Sequence, residues 1–424
     1  MRIAIFSFGT RGDVAPFTGL GARLREAGHE VVVGVHDSFA PMVREAGLEH
    51  RPLAADARAL LAGEVGKRLR DYGSGVRGIA EQLRHVGDFT ETMNELGESV
   101  VEAARDADLL LLQSGTLIHG YTVAKAMGIP SMLTELFPSQ FAATGDFPPV
   151  KLGPVSFGRW GNRAVGRVMP VAAGPFVGFV KDFQRRMGVP SNGLAGLYRE
   201  IERVRWPILH GFSPRILPRP SDWRPGIDVV GYWWPHWNPD WQPPAELVDF
   251  LESGPPPVFV GFGSMAQGEG ERLSEIVTEA VRAARVRAVV QAGWSELTAT
   301  GDDVLAIGDV PHEWLFPRMA AVVHHGGAGT TGAGLRAGVP AVTVTVLADQ
   351  PFWADRLARA GVSPGWVRLK QLSAQRLAEL IGQAVSDPAY RRRAREVADG
   401  VRAEDGAGRV AEAVAELATT TGKQ

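Results

Sequence analysis

None of the 424 residues is a cysteine. Disulfides, thiolate metal ligands and cysteine nucleophiles are therefore excluded, and the expected setting is the reducing cytoplasm. An excess of one charge sign is also lacking. Lys and Arg number 45 against 47 Asp and Glu, for a formal net charge of −2, so the chain has no basic footprint for nucleic acid or another polyanion. Long apolar runs are missing too. The longest, residues 168–180, falls short of the roughly 20 residues a spanning helix needs, and Pro170 and Pro175 interrupt it, so no integral membrane association is expected. The opening MRIAIFSFGTRGD has an apolar stretch only a strand long, too short for the core of a secretory signal, and is expected to begin the fold.

What is present is 45% hydrophobic residues, enough for large cores, and a length that suggests more than one domain. Short continuous apolar runs alternate with helical patterns, the mark of parallel strands covered on both faces. Strands are expected at 3–8, 31–35, 109–112, 131–133 and 208–210, and again at 258–261, 288–291, 304–307, 321–324 and 341–344. Helices are expected at 17–27, 75–105, 274–285 and 350–360, and at about 406–417. Residues 232–257 carry four tryptophans and seven prolines with little periodicity, which predicts a linker. The fold class is α/β, with two Rossmann-like, doubly wound domains at 1–231 and 258–400. Ligands of such sheets bind outside the carboxyl ends of the strands.

The most informative segment is 322–340, VVHHGGAGTTGAGLRAGVP. A buried strand runs into two histidines, a glycine-rich turn and a new helix, and a helix N-terminus with close glycine approach is suited to phosphate oxygens. Gly338 is the expected left-handed cap before Pro340. No G-x-x-x-x-G-K-[ST] run is present here. Strand alternation turns His324 away from His325, which makes His324 a packing residue and argues against a paired-histidine metal site.

With HHGGAGTT, GLRAGVP and DQPFWA (residues 324–354), the chain resembles the nucleotide-sugar glycosyltransferases of GT-B fold, above all sterol 3-glucosyltransferases and bacterial natural-product glycosyltransferases. GTRGDVAP (9–16), LPRPSDWRPGIDVVGYW (217–233) and VFVGFGSM (258–265) agree with it. The resemblance implies two domains facing across a cleft, with 401–424 as a helix able to return to the first domain. It implies that His325 and the amides of Gly327, Ala328, Gly329 and Thr330 hold the donor diphosphate, with Ser264 adding a contact. By the same likeness Val310 and His312 line the nucleoside site, and Asp349 and Gln350 bind the donor sugar. Trp294 either walls the nucleoside or is a core or rim residue. Relatives that use UDP-glucose carry a proline and aromatic residues before the Asp-Gln pair, where this chain has VTVLA (344–348), so the sugar stays open between hexose and deoxyhexose and the donor between UDP and dTDP.

Asp13 has two readings. By spacing it is a helix cap, worth roughly 1 kcal/mol; by resemblance it is the base that deprotonates the acceptor hydroxyl, in place of the histidine found in many relatives. Phe137 and Phe141, with Phe147, Phe157, Trp160, Phe176, Phe179 and Phe183, either surround an apolar acceptor pocket or form ordinary core helices. The expected reaction is inverting and metal-independent, without a cofactor. The acceptor is a hydrophobic polyketide, macrolide, terpenoid or sterol, and the chain works as a monomer or homodimer. Asp106-Ala107-Asp108 matches the Asp-x-Asp of metal-using transferases, but precedes its strand and so lies at the wrong end of the sheet. The alternatives are an inactive nucleotide-sugar-binding accessory protein, disfavoured by Asp13, and a nucleotide-sugar epimerase.

Overall fold

The computed structural model describes residues 1–63, 86–172, 178–263, 269–293, 297 and 301–421. The short apolar runs become strands of two wholly parallel sheets. The first is built from β1 (Arg2–Phe6), β2 (Glu30–Val35), β3 (Glu49–Pro52), β4 (Leu109–Leu112), β5 (Ser131–Glu135), β6 (Ile208–His210) and β7 (Ile227–Val229), in the order β3-β2-β1-β4-β5-β6-β7. The second holds β8 (Val258–Gly261), β9 (Ala288–Gln291), β10 (Val304–Ile307), β11 (Ala321–His324), β12 (Ala341–Thr345) and β13 (Trp366–Arg368), in the order β10-β9-β8-β11-β12-β13. The strand order reverses between β1 and β4 in one sheet and between β8 and β11 in the other. Those switch points are where doubly wound sheets open a crevice for ligands.

Contacts divide the chain into two compact units, Met1–Pro214 with Pro218–Asn238 and Asp405–Gln424, and Arg215–Leu217 with Pro239–Glu404. Helices cover both faces of each sheet, which is why the central strands are apolar without alternation. All four residues of the Leu109–Leu112 strand are fully buried. In the second unit Val258 and Val260 feed one core and Phe259 the other, the two-residue period of a strand.

Several elements differ from expectation. The first helix spans Arg11–Glu26, not 17–27, because Thr10 and Asp13 close its first turn; Pro16 sits inside it. The stretch expected to be linker contains the helix Ala245–Glu252, anchored by buried Leu247, and the division between units falls between Asn238 and Pro239. Strands β3, β7 and β13 were not anticipated. The final helix, Gly406–Thr421, packs on Arg11–Glu26. No helix among the described residues is long and apolar enough to cross a membrane.

Burial holds His119 and His210 down to about 4 and His324 to about 3. The unfolded chain therefore takes up protons below about 6.5 that the folded chain refuses until about 4, at about 1.4 kcal/mol per unit for each group. Stability is full above that window and lost as pH falls through it. The Glu135 carboxyl, pushed up to about 8 by burial, and Asp13, also raised by burial, drift the other way, but they stand against four imidazoles once His325, likewise held at about 4, is counted. The urea midpoint is expected to be lower at pH 5 than at pH 7; an equal or higher midpoint at pH 5 contradicts this balance.

Candidate active site

The anion-site sequence folds at the switch point of the second sheet. His324 is fully buried, and its Nδ1 accepts the Gly326 N–H at 3.1 Å. Burial, reinforced by the nearby His325 and His312 imidazoles, keeps it neutral. It is a brace for the turn. Gly326 has φ +87°, and a Cβ there would lie 3.1 Å from the Gln350 carbonyl oxygen and 3.5 Å from its Cα. The next residue, Gly327, caps the helix Ala328–Ala337, which ends at left-handed Gly338.

The first backbone bond of that helix runs from Thr331 N–H to the Gly327 carbonyl at 2.9 Å. The amides of Gly327, Ala328, Gly329 and Thr330 are thus the ones the helix leaves unclaimed. The His325 ring lies between two glycines: a Cβ on Gly263 would come within 2.8 Å of its Cε1, and one on Gly327 within 2.5 Å of its Nε2. Its Nδ1 is enclosed without a hydrogen-bond partner, and burial lowers the imidazole to about 4. At neutral pH it is an uncharged hydrogen-bonding group. Positive character comes from the helix end.

Beside this turn, Gln350 is buried. Its Oε1 accepts the amides of Val346 at 2.7 Å and Leu347 at 3.2 Å, so that oxygen is committed to the loop. Asp349 Oδ2 accepts Trp353 Nε1–H at 2.9 Å. Ala348 stands at φ +61°, a left-handed strain that non-glycine residues adopt where the surroundings impose it. Val310 is buried after β10, and His312 stacks on Phe316 with ring centroids 4.2 Å apart, edge-on to Phe259. Ser264, Trp294 and Phe176 lie outside the described residues.

In the first unit, Asp13 Oδ2 accepts the Thr10 N–H at 2.7 Å and the Thr10 hydroxyl at 3.1 Å. Burial raises its pKa, and the Thr10 bonds offset part of that rise. The carboxylate therefore closes the helix.

A cavity of about 210 Å³ lies in the same unit, with Ser114, Phe137, Gln140, Ala143, Phe147 and Met169 in its wall. Phe141 is a correction. It is buried and packs on Tyr198, centroids 5.6 Å apart, and does not line the cavity; the turn that exposes Gln140 and Ala142 to the cavity sends Phe141 into the core. Phe179 and Phe183 pack on His119, while Phe157 and Trp160 are exposed, Trp160 to 90%. Asp222 latches the cavity loop through Thr144 Oγ1–H at 2.6 Å and Gly145 N–H at 2.9 Å.

Asp106 and Asp108 have structural partners. Asp106 takes two bonds from Arg51, at 2.6 and 2.9 Å, and is lowered to about 2, chiefly by that guanidinium; Asp108 accepts the Arg2 N–H. Among the described residues no group of three or more His, Cys, Asp or Glu is placed to hold a metal ion. Sequence reasoning passed over Glu135, which ends β5 fully buried. The signal was a lone carboxylate closing an otherwise uncharged buried run, SMLTE.

Two family models match, the glycosyltransferase family 28 N-terminal domain over residues 3–135 and the erythromycin biosynthesis protein CIII-like C-terminal domain over residues 276–417. The O-mycaminosyltylonolide 6-deoxyallosyltransferase of Streptomyces fradiae is 37% identical over 425 residues, covering 96% of this chain and 95% of its own. The chain belongs to the GT-B glycosyltransferases. This glycosyltransferase is also 33% identical to the sterol 3-beta-glucosyltransferase UGT80B1 of Arabidopsis thaliana, covering 96% of this chain but spanning only 66% of that relative's length. The crystal structure of the Streptomyces sp. SF2575 glycosyltransferase SsfS6, complexed with thymidine diphosphate, shares the fold at TM-score 0.63 and 21% identity, covering 98% of this chain and 99% of that one.

Gly326→Ala tests the close approach. A left-handed alanine costs roughly 1–2 kcal/mol, and its methyl meets the Gln350 main chain. The expected outcome is a lowered melting temperature and weaker nucleoside diphosphate binding by calorimetry. Wild-type values for both would show that the turn does not depend on the missing side chain.

Proposed function

We propose that this glycosyltransferase moves a hexose or deoxyhexose from a UDP- or dTDP-sugar to a hydroxyl of a hydrophobic small molecule of polyketide, macrolide, terpenoid or sterol type. The observation that carries the reading is the row of unclaimed amides at the start of Ala328–Ala337, with the His325 ring over its first residue. The macrolide-modifying relative, alike over nearly its whole length, supports an apolar acceptor. The thymidine diphosphate held by a structural neighbour supports a nucleoside diphosphate leaving group.

In this mechanism Asp13 takes the proton from the acceptor hydroxyl as its oxygen attacks the anomeric carbon. The bond from that carbon to the β-phosphate oxygen breaks, and the electron pair leaves with the diphosphate. Direct displacement inverts the anomeric configuration. The amides of Gly327, Ala328, Gly329 and Thr330 receive the growing charge, and His325 donates to a phosphate oxygen. A neutral imidazole suits that role, because the incoming anion raises its proton affinity as the charge develops. Helix dipole and hydrogen bonds supply the stabilisation, so no metal ion is invoked. Asp349 and Gln350 contact the donor sugar, Val310 and His312 the nucleoside, and the Phe137 cavity receives the acceptor. A raised carboxyl pKa suits a base working near neutrality, and Asp13 is the feature an inactive accessory protein would not keep.

Incubation with a panel of UDP- and dTDP-sugars and apolar alcohols, with product analysis, tests the activity. Asp13→Asn is expected to lower kcat by about 10²–10⁴-fold while leaving diphosphate affinity within about twofold; undiminished turnover removes Asp13 as the base. For His325→Ala, loss of one donor is expected to slow transfer by about 10²–10³-fold and also to weaken diphosphate binding. Wild-type binding by that variant would argue against the phosphate site.

A further inference from the structure

Glu135 is a fully buried carboxyl to which the mechanism gives no part. Its Oε2 accepts the Ser114 N–H at 3.2 Å and its Oε1 the Leu136 N–H at 3.0 Å. The Ser114 turn is joined in the other direction to β1. The Gln113 N–H and the Thr116 hydroxyl both donate to the Phe6 carbonyl, at 3.0 and 2.9 Å, and a Cβ on Gly115 would lie 2.7 Å from the Phe8 carbonyl oxygen. From there the chain reaches Thr10 and Asp13, whose own carbonyl accepts the Ser7 hydroxyl at 2.9 Å. Three strand ends, those of β5, β4 and β1, are thus tied in series, and Ser114 and Gly115 also line the acceptor cavity.

We infer that Glu135 is a positioning residue for transfer: it pins the Ser114 turn, so that the floor of the acceptor cavity and the loop carrying the base move as one body. This rests on the assignment of Asp13 as base. The groups facing Glu135 are the Ser114 amide and hydroxyl from the turn after β4, the Leu136 amide on its own segment, His210 in register on β6, and Asp13 from the helix after β1. Burial holds His210 neutral. Burial first, and the Asp13 charge further, push the Glu135 carboxyl up to about 8 against the Ser114 and Leu136 bonds. It is protonated while Asp13 works. Above that pH a second buried anion appears beside Asp13; it keeps the Ser114 amide but repels the Asp13 carboxylate, and that repulsion pries the turn and the base loop apart.

The test is acceptor KM and kcat between pH 6 and 10, at saturating donor, for the wild type, Glu135→Gln and Ser114→Ala. The protonated fraction of a group titrating near 8 falls to about one tenth at pH 9, so the wild-type acceptor KM is expected to rise about tenfold from pH 7 to 9. Glu135→Gln keeps a neutral side chain but loses one amide acceptor. Its KM at pH 7 is expected to be about fivefold higher, flat to pH 9, with diphosphate affinity unchanged. Ser114→Ala removes a hydroxyl that favours the anion, and should move the alkaline rise to higher pH. A wild-type alkaline limb retained in Glu135→Gln, or, if that variant does not fold, an unmoved limb in Ser114→Ala, overturns the inference. If instead Asp13→Asn stays active, it is the base assignment that fails, because the KM limb is measured on the wild type independently of it.

Discussion

Gly326 meets the main chain of Gln350 with no side chain between them, and the geometry of the proposed donor site follows from that approach. Because the turn can bend left-handed there, the chain leaves β11 and enters a helix within a few residues. The amide row then sits at the carboxyl end of the sheet, at its switch point. His324 holds the turn from below through its Nδ1. On the far side of the contact, the strained Ala348 and the Gln350 side-chain Oε1 gather the 346–350 loop against the same spot. The proposed phosphate and sugar contacts therefore belong to one braced body, not to two loops that must find each other.

Desolvation sets the resting state of His325 and dominates the shifts of Asp13 and Glu135. It lowers His325 and raises Asp13 and Glu135; in the first unit hydrogen bonds, not counter-ions, temper it. The imidazole beside the amide row is thus uncharged at rest. The helix end supplies a fixed dipole that needs no rearrangement as charge develops. Ion pairs are instead found elsewhere, as at the amino edge of the first sheet, where Arg51 and Asp106 are joined. Separation of the two kinds of electrostatics explains why an Asp-x-Asp triplet in this chain is structural.

The legible part of the fold was its interior. Leu109–Leu112, Val258–Gly261 and Ala321–His324 read correctly because a strand covered on both faces must be apolar at every position. Edges escaped. Glu49–Pro52 is EHRP, Ile227–Val229 and Trp366–Arg368 are three residues long, and each needs only one neighbour and one cover. The first helix was placed too late because Gly12 and Pro16 look like loop residues, whereas Thr10 and Asp13 supply the start signal. For the site, local motifs such as GGAGTT could be seen in the sequence, since their chemistry is carried by consecutive residues. Glu135 could not, because its partners stand at Ser114 and Asp13, on other strands. Nor could sequence separate Phe137, in the cavity wall, from Phe141, in the core.

The last helix of the chain lies on the helix that carries Asp13, with Val410 and Val414 wholly buried, and Gly406 is pressed so close to the carbonyls of Gly231 and Tyr232 that a side chain would overlap them. The first unit is thus assembled from segments that precede and follow the second unit in sequence. During synthesis its sheet can form early, but its final cover arrives only after the whole second unit has been made. Until then an apolar helix face stays open to water and to other nascent chains. The helix carrying the proposed base is therefore covered only after the second unit has been made, which ties full order in the first unit to synthesis of the second.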